Sequence, residues 1–304
     1  MSKYPHQPPQ KEHHVPILLD EILNELDIQE NDTILDGTIG LGGHSQAMHQ
    51  QLGKTGHLVG YDQDPNAIAF CQSRFSSYPN VTLINDNVSH VHPSTSKHTP
   101  KKFSKILLDL GYSSYQLDHQ NIGLSFLQDG PLDMRLNRNT EQNSASDILQ
   151  SYSEQDLSDL FFNFGELYQN KRLVNAIINE RQKTPITQTN QLISLIKKSY
   201  FFHQNRRKML KVFAQVFQAL RIATNDELGH LERFLAQLSD ITEEKAVVVI
   251  ISFHSLEDRM IKQFGKRKEG PFKARYKKVI TPTQNEIEQN SRATSAKLRI
   301  LDKK

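Results

Sequence analysis

Residues 33–45 read TILDGTIGLGGHS, and this stretch decides the fold class. It holds a short apolar strand that ends at Asp36, a glycine-rich turn, and the start of a helical pattern at His44. Similar strands follow at 57–62, 81–86 and 104–110, with helical patterns at 15–27 and 65–75 around them. Strands that alternate with helices in units of about 25–30 residues indicate βαβ connections and a parallel, doubly wound α/β sheet.

The alternation stops after residue 117. Residues 118–210 contain no convincing buried strand, but they do contain helical patterns at 153–164, 171–181 and 191–199. Amphipathic helices are predicted at 213–223 and 227–238, before the apolar run AVVVIISF at 246–253, which suits a central parallel strand. We therefore predict a disordered lead at 1–13, a discontinuous α/β domain at 14–117 and 211–304, and a helical insertion at 118–210 that recognises the substrate.

Composition excludes several classes of protein. The chain has 304 residues and one cysteine, Cys71, and it lacks the run of about 18–20 apolar residues that a membrane span needs. A secreted disulfide scaffold and a cysteine zinc site are therefore excluded, and we expect a cytoplasmic protein. The net charge of +3 is the sum of −7 over residues 1–258 and +10 over 259–304. The basic segment favours a polyanionic partner, although a solvated, flexible tail explains the same charges.

Acidic residues stand at or just past the end of four strands, at Asp36, Asp62, Asp86 and Asp109. Ligands of open α/β sheets bind at this edge. The glycine loop matches neither the dinucleotide motif GxGxxG nor a P-loop, and the carboxylate of Asp36 favours a sulfonium or ammonium cation over a phosphate. Asp62 suits a ribose diol, so the set favours S-adenosylmethionine over NAD. In the alternative interpretation, the glycines only make a turn and the acids cap helices.

The end of the fourth strand carries the tetrapeptide DLGY at 109–112. Enzymes that methylate exocyclic amines often place a polar, turn-forming and aromatic tetrapeptide there. A carboxylate that accepts hydrogen bonds from the N–H groups of the amine orients the nitrogen lone pair toward the methyl group. Asp109 is therefore the candidate for orienting the amine or the cofactor, with Ser113 and Ser114 as nearby donors. A helix N-cap is the alternative role.

Five longer segments are more specific: GGHS at 42–45, LLDLGYSS at 107–114, GPLDMRLN at 130–137, FQALRIATNDEL at 217–228 and SFHSLEDR at 252–259. Between about His14 and Arg299 the chain resembles the bacterial ribosomal RNA small subunit methyltransferase H family. The resemblance implies a Rossmann-like class I S-adenosylmethionine-dependent methyltransferase with a helical insertion. It also implies methylation of the N4 amine of a cytidine in 16S rRNA, in the decoding region of the small ribosomal subunit.

The resemblance also implies roles for single residues. It places cofactor contacts at Gly42, Gly43, His44, Asp62, Val88, Asp109 and Gln116, and the strand-end argument adds Asp36 to this set. The catalytic set, which comes from the tetrapeptide and the residue after it, is Asp109, Tyr112 and Ser113. The chain departs from the family at Val88, where an aromatic is usual, and at Tyr115, where the family has proline.

A cytosine amine in structured RNA is reached by turning the base out of the stack into a pocket. Tyr112, Phe126, Phe253 and His254 are candidate walls and hydrogen-bond partners, although His254 has a core role as its alternative. Asp133 and Arg135 are expected either to organise the site or to form a structural ion pair. Phosphate contacts are expected from basic clusters. The RNA-binding set is Arg135, Arg206, Arg207, Lys208, His254, Lys266, Arg267 and Lys268.

Two other functions stay open from the sequence. A nicotinamide dehydrogenase is disfavoured by the missing GxGxxG, and a catalytically silent RNA-binding assembly factor is disfavoured by the intact strand-end acids. No metal is expected, since the loop histidines at 13, 14, 90 and 92 have no cysteine partners. Cys71 is predicted on a helix away from the strand ends. The expected partner is 16S rRNA or the small subunit, and no membrane association is expected. Whether the chain forms a homodimer stays open.

Overall fold

The computed structural model describes residues 16–91, 102–112, 121–138, 142–203 and 205–304, so the lead predicted at 1–13 lies outside it. The strands are β1 Thr33–Asp36, β2 His57–Tyr61, β3 Val81–Ile84, β4 Phe103–Asp109, β5 Thr242–Ser252, β6 Phe272–Ala274 and β7 Lys297–Lys303. The helices are α1 Leu19–Leu26, α2 Gly43–His49, α3 Pro65–Arg74, α4 Ala145–Ser151, α5 Glu154–Gly165, α6 Lys171–Arg181, α7 Thr189–Ser199, α8 Arg206–Asn225, α9 Glu227–Ile241, α10 Ser255–Phe264 and α11 Gln284–Gln289. None of these helices is long and apolar enough to span a membrane.

The strands form one sheet in the order β3-β2-β1-β4-β5-β7-β6. The five strands β1 to β5 pair in parallel, whereas β7 runs antiparallel to both β5 and β6. The chain winds outward from β1 to β3 and then returns to the other side of β1 as β4. The carboxyl ends of β1 and β4 therefore flank the topological switch point, where such sheets bind ligands. The predicted doubly wound α/β class is confirmed.

Alternate side chains of each strand point to opposite faces of the sheet, and each face has its own core. Ile34 and Leu107 pack with α1 on one face, while Leu35 and Leu108 pack with α9 and α10 on the other. All four side chains are at most 1% exposed. Because both faces are covered, the strand ends are held rigidly, and residues at those ends keep fixed relative positions.

Helices α4 to α8 and the loop at 121–136 build a separate core, which we call the helical layer. Helix α6 has the predicted bounds, whereas α4 was missed because it is only seven residues long. The division predicted at residue 210 falls inside α8, and Phe213 and Phe217 of this helix belong to the core of the layer. The helical layer therefore extends to Asn225 before the chain returns to the sheet through α9.

The basic C-terminal segment is folded, so its interpretation as a flexible tail is wrong. Strands β6 and β7 complete the sheet, and several of the cations form ion pairs inside the fold. Arg275 lies 2.8 Å from Glu25 and 2.6 Å from Asp302, and Arg299 lies 2.6 Å from Asp258. These pairs fix β7 against α1 and α10, which leaves fewer cations for a polyanionic partner than the charge count indicated.

Candidate functional site

The glycine loop between β1 and α2 lies close against its neighbours. Gly42 has φ 76°, which favours glycine, and a Cβ there would lie 2.8 Å from the Phe75 ring of the segment after α3. A Cβ on Gly43 would lie 2.8 Å from Cγ of Pro16. Side chains at these two positions would push the loop away from its supports, so the sequence GG is required by packing as well as by backbone conformation.

Asp36 organises the glycine loop from within. Its side chain is buried, and it accepts hydrogen bonds from the Thr38 N–H at 3.2 Å and the Ser45 hydroxyl at 2.6 Å. Burial raises the pKa of Asp36, and the hydrogen bond from Ser45 opposes that shift. The predicted cofactor-binding acid thus lies under the loop, where its hydrogen bonds fix the turn at the switch point.

Asp62 closes the loop against the end of β2. Its Oδ2 accepts the Gly40 N–H at 2.9 Å, and its Oδ1 accepts the Asp64 N–H at 2.9 Å. Burial is the main reason that the pKa of Asp62 rises to about 6. Each carboxylate oxygen can accept a second hydrogen bond, which is the arrangement that binds a ribose diol in folds of this type.

Asp109 ends β4 and faces His44 of the glycine loop. The Asp109 N–H donates to the Thr38 hydroxyl at 2.6 Å, and Asp109 Oδ2 lies 3.9 Å from His44 Nδ1. His44 Nε2 donates to the Ile17 carbonyl at 2.9 Å, so the Nδ1 lone pair is the one that faces Asp109. Among the described residues, the buried Oδ1 of Asp109 has no hydrogen-bond partner. An acceptor left open at the ligand edge of the sheet suits an N–H donor from a substrate.

Burial raises the pKa of Asp109 to about 7, and the negative charge of Glu257 adds to this shift. Burial also lowers the pKa of His44, which keeps its imidazole neutral. A carboxyl group poised near neutral pH beside a neutral imidazole can accept or release a proton during a reaction.

Arg221 joins the helical layer to the segment that follows β4. Its guanidinium lies over the Tyr112 ring, 4.9 Å from the centroid, in a cation–π contact. The same group binds Glu227 in bidentate geometry, with N–O distances of 2.8 and 3.0 Å. Both partners of this ion pair are mostly buried. Tyr112, a predicted catalytic residue, is therefore held in place by α8.

The ion pair continues through His254 to Glu257, which acts on Asp109. His254 Nε2 lies 3.8 Å from Glu227 and 3.2 Å from Glu257, and His254 begins α10 as its N-cap. Burial alone lowers the pKa of His254, but the two carboxylates outweigh it and raise this pKa to about 9. Sequence reasoning missed Arg221, Glu227 and Glu257, although all three lie in the segments FQALRIATNDEL and SFHSLEDR that carried the resemblance.

Glu227, His254 and Glu257 also offer ligand atoms that lie within 4.8 Å of one another, as a metal site requires. Arg221 already binds both oxygens of Glu227, and a protonated His254 balances the charge of Glu257. A metal ion would have to displace both contacts. We therefore keep the expectation of no metal as a prediction.

Other predicted residues lie near the site in different ways. Val88 packs against Gly37 at the start of the glycine loop. A Cβ on Gly37 would lie 2.8 Å from Cγ2 of Val88. Arg135 is paired with Asp133 at 2.7 Å, so this arginine has a local structural partner. Ser113 and Gln116 lie outside the described residues.

The two main basic clusters lie on different elements of the fold. Arg206, Arg207 and Lys208 are exposed in the first turn of α8, in the helical layer. Lys266, Arg267 and Lys268 are exposed after the last turn of α10, which begins beside the site and extends about 15 Å away from it. The cluster at 266–268 therefore lies away from the edge that carries Asp109, and so does the cluster at 206–208, which lies about 20 Å along α8 from Arg221.

Cys71 lies closer to the site than the sequence indicated. Its thiol donates to the Gly40 carbonyl at 3.2 Å, so α3 supports the glycine loop from behind, and the predicted separation from the strand ends is wrong. Burial raises the pKa of the Cys71 thiol to about 12. At neutral pH the group is a thiol that fills space, because a nucleophile would need the thiolate.

The family model described as the MraW methylase family matches residues 11–304. The chain belongs to this family. The Ribosomal RNA small subunit methyltransferase H of Amoebophilus asiaticus (strain 5a2) is 40% identical over 306 residues, which cover 96% of each chain. The protein of the same name from Clostridioides difficile (strain 630) is 35% identical over 314 residues, 96% of this chain and 99% of the relative. The resemblance stated from the five segments is confirmed.

A solved structure of an rRNA methylase from Streptococcus thermophilus is also similar to this chain. It aligns with a TM-score of 0.42 and 11% identity, over 94% of this chain and 93% of that one. The family membership rests on the family model and on the relatives at 35–40% identity.

Proposed function

We propose that this member of the MraW methylase family transfers a methyl group from S-adenosylmethionine to the N4 amine of a cytidine in 16S rRNA. The observation that carries the proposal is the buried, unpartnered Oδ1 of Asp109 at the end of β4, between His44 and Tyr112. The name of the relatives supports an rRNA substrate in the small subunit. Such a substrate belongs to the cytoplasm of a bacterium.

The residues at the switch point fit this methyl donor. Asp62 suits the ribose diol, and a sulfonium cation near the glycine loop would favour the charged forms of Asp36 and Asp109, whose pKa values are raised by burial. Gly42 and Gly43 let the loop pack closely on Phe75 and Pro16, which fixes the backbone at the switch point. When bound, S-adenosylmethionine supplies a methyl group that is already activated by its positive sulfur, so neither a metal nor a thiolate is required.

Asp109 is proposed to orient the amine. Its Oδ1 accepts a hydrogen bond from one N–H group of the amine, which directs the nitrogen lone pair toward the methyl carbon. The N–C bond then forms as the C–S bond breaks. The nitrogen then loses a proton. The Asp109 carboxylate, whose pKa is about 7, is the nearest acceptor, and His44 Nδ1 lies 3.9 Å beyond it.

The helical layer is proposed to present the RNA. Tyr112 would form one wall of the base pocket, because Arg221 holds its ring at the edge where Asp109 ends β4. The exposed cluster at 206–208 is the better candidate for phosphate contacts, since it lies on the same layer. The cluster at 266–268 lies outside the helical layer, so we leave it out of the proposed grip.

Methyl transfer to isolated small subunits tests the proposal. Subunits from cells that lack this gene are incubated with the purified chain and methyl-labelled S-adenosylmethionine, and the rRNA nucleosides are then separated. We expect label in N4-methylcytidine with the natural chain and with Asp86→Asn, whose strand-end acid is exposed. We expect little or none with Asp109→Asn. Binding of subunits without any transfer would favour the silent assembly factor instead.

A further inference from the structure

The helical layer exposes three aromatic side chains outside the site described above. In the part of the chain that the structure describes, the large apolar side chains that are exposed are Tyr78, Leu127, Phe162, Tyr168, Phe201 and Tyr276. Phe162 is 48% exposed, Tyr168 is 70% exposed and Phe201 is 71% exposed. Burying each ring would stabilise the fold, so rings left open in one region point to a binding surface.

These rings lie near the end of α5 and on two loops that contact each other, and we call the three together the aromatic platform. Phe162 and Tyr168 contact each other edge to face, with centroids 5.2 Å apart. The Tyr200 hydroxyl donates to the Gln169 carbonyl at 2.9 Å, which fastens the loop before α8 to the loop that carries Tyr168. Phe201 follows Tyr200, and its ring lies against Arg172, four residues after Tyr168, so the ring lies near the same loops.

Cations accompany the platform. The Arg172 guanidinium lies 5.6 Å from the centroid of the Phe201 ring. Lys171 precedes Arg172 in the first turn of α6, and exposed basic residues at 206–208 begin α8 just after Phe201. Exposed aromatic faces next to Arg and Lys are the combination that binds single-stranded nucleic acid, since bases stack on the rings and phosphates meet the cations.

The platform is also attached to the edge of the candidate active site. Glu166, two residues before Tyr168, accepts hydrogen bonds from the Ser255 hydroxyl at 2.6 Å and from Arg259 at 2.7 Å. Ser255 follows His254, and both residues belong to the segment that ends β5 and begins α10. The loop with Tyr168 is therefore fixed to the same strand end that carries the buried ionic network. A strand of RNA bound at the site would pass close to Tyr168.

We propose that the aromatic platform stacks unpaired nucleotides that flank the target cytidine. Tyr168 and Phe201 act as the stacking rings, and Arg172 and the basic cluster at 206–208 supply charge for the backbone. This inference rests on the proposed RNA substrate, and it adds that the substrate must be locally single-stranded next to the target. Stacking of this kind holds the strand without reading its sequence, which leaves recognition of the target base to the pocket beside Asp109.

Fluorescence anisotropy with a labelled oligouridylate of about twelve nucleotides tests the platform without S-adenosylmethionine and without turnover. We expect Tyr168→Ala and Phe201→Ala each to weaken binding about 5- to 100-fold. Tyr168→Phe and Phe201→Tyr keep a ring and should bind as the natural chain does. Tyr78→Ala and Tyr276→Ala remove exposed aromatics elsewhere on the molecule, so they should leave affinity unchanged.

Salt dependence separates stacking from charge. The alanine variants should keep the natural slope of log affinity against log salt, because no cation is lost, whereas Arg207→Gln should flatten it. Alanine variants that bind oligouridylate like the natural chain would overturn the proposal. If such variants lost affinity only for assembled small subunits, the platform would be a protein contact, which also overturns it. Natural oligouridylate binding together with absent methyl transfer would reject the proposed function alone.

Discussion

The Arg221 guanidinium covers the Tyr112 ring at 4.9 Å while it binds both oxygens of Glu227. Glu227 begins α9, which packs on the sheet, so this contact connects the helical layer, on which Tyr112 also packs, to the core of the sheet. Arg221 lies on α8 of the helical layer, and Tyr112 follows the strand end that carries Asp109. The position of the helical layer and the shape of the candidate pocket are therefore set by one buried group.

Loss of Arg221 should cost stability and activity by separate routes. Arg221→Met leaves Glu227 buried without its partner, so we expect the free energy of unfolding to fall by about 3–5 kcal/mol in urea titrations. The double variant Arg221→Met with Glu227→Gln removes the unpaired charge and should regain most of that stability. Its rate of methyl transfer should remain below that of the natural chain, because the Tyr112 ring has lost its contact with the guanidinium. Natural activity in the stable double variant would contradict this role of Arg221.

The pH dependence of methyl transfer should report Asp109. With a pKa of about 7, the carboxyl group of the free protein is charged above that pH and able to accept an amine N–H. We expect kcat/KM to fall as the pH is lowered through about 7, measured from about pH 5.5 to 8.5. Asp109→Asn should lose about 100-fold or more in kcat and lose this pH limb, whereas Asp86→Asn should keep both. If the fall in kcat/KM at low pH persisted in Asp109→Asn, a different group would be responsible for it.

The same substitution should stabilise the fold at alkaline pH. The pKa of Asp109 is raised in the folded chain, so its stabilising contribution is present below about pH 4 and is lost as pH rises toward 7. Above that pH the folded chain holds an ionised, poorly solvated carboxylate. We expect Asp109→Asn to raise Tm by about 2–4 °C at pH 8 and by less at pH 5, as measured by calorimetry. An equal change at both values would show that the carboxylate is well solvated.

Methyl-donor binding should depend on the glycine loop. Gly42→Ala forces a side chain into a left-handed conformation and against the Phe75 ring, so the loop must move. We expect the affinity for S-adenosylmethionine, measured by titration calorimetry, to fall about tenfold or more. Gly270→Ala is the matched control, since its Cβ would come no closer than 3.2 Å to a neighbour. Equal affinities in the two variants would place the ligand elsewhere.

The parts of the fold that rest on local pattern could be predicted from the sequence. The alternation of strands and helices predicted β1 to β5 and their parallel pairing, and the acids after strands marked Asp36, Asp62 and Asp109. The last strand was recognised near 297–299, but its antiparallel pairing with β5 was not predicted, because that pairing depends on partners that are distant in sequence.

The network behind the site could not be predicted in the same way. Arg221 and Tyr112 are more than a hundred residues apart in sequence, and no periodicity encodes a contact of that kind. Only the quoted segments marked these residues, without saying what they touch. The boundary at residue 210 failed for a related reason, since α8 is amphipathic along its whole length and packs in the layer that precedes it.

The most direct test of the account is mass spectrometry of 16S rRNA nucleosides from cells that lack this protein. The cells are complemented with the natural chain, with Asp109→Asn or with Asp86→Asn. We expect N4-methylcytidine to be absent without the protein and with Asp109→Asn, and to return with the natural chain and with Asp86→Asn. An unchanged level of N4-methylcytidine in the cells without the protein would contradict the central claim.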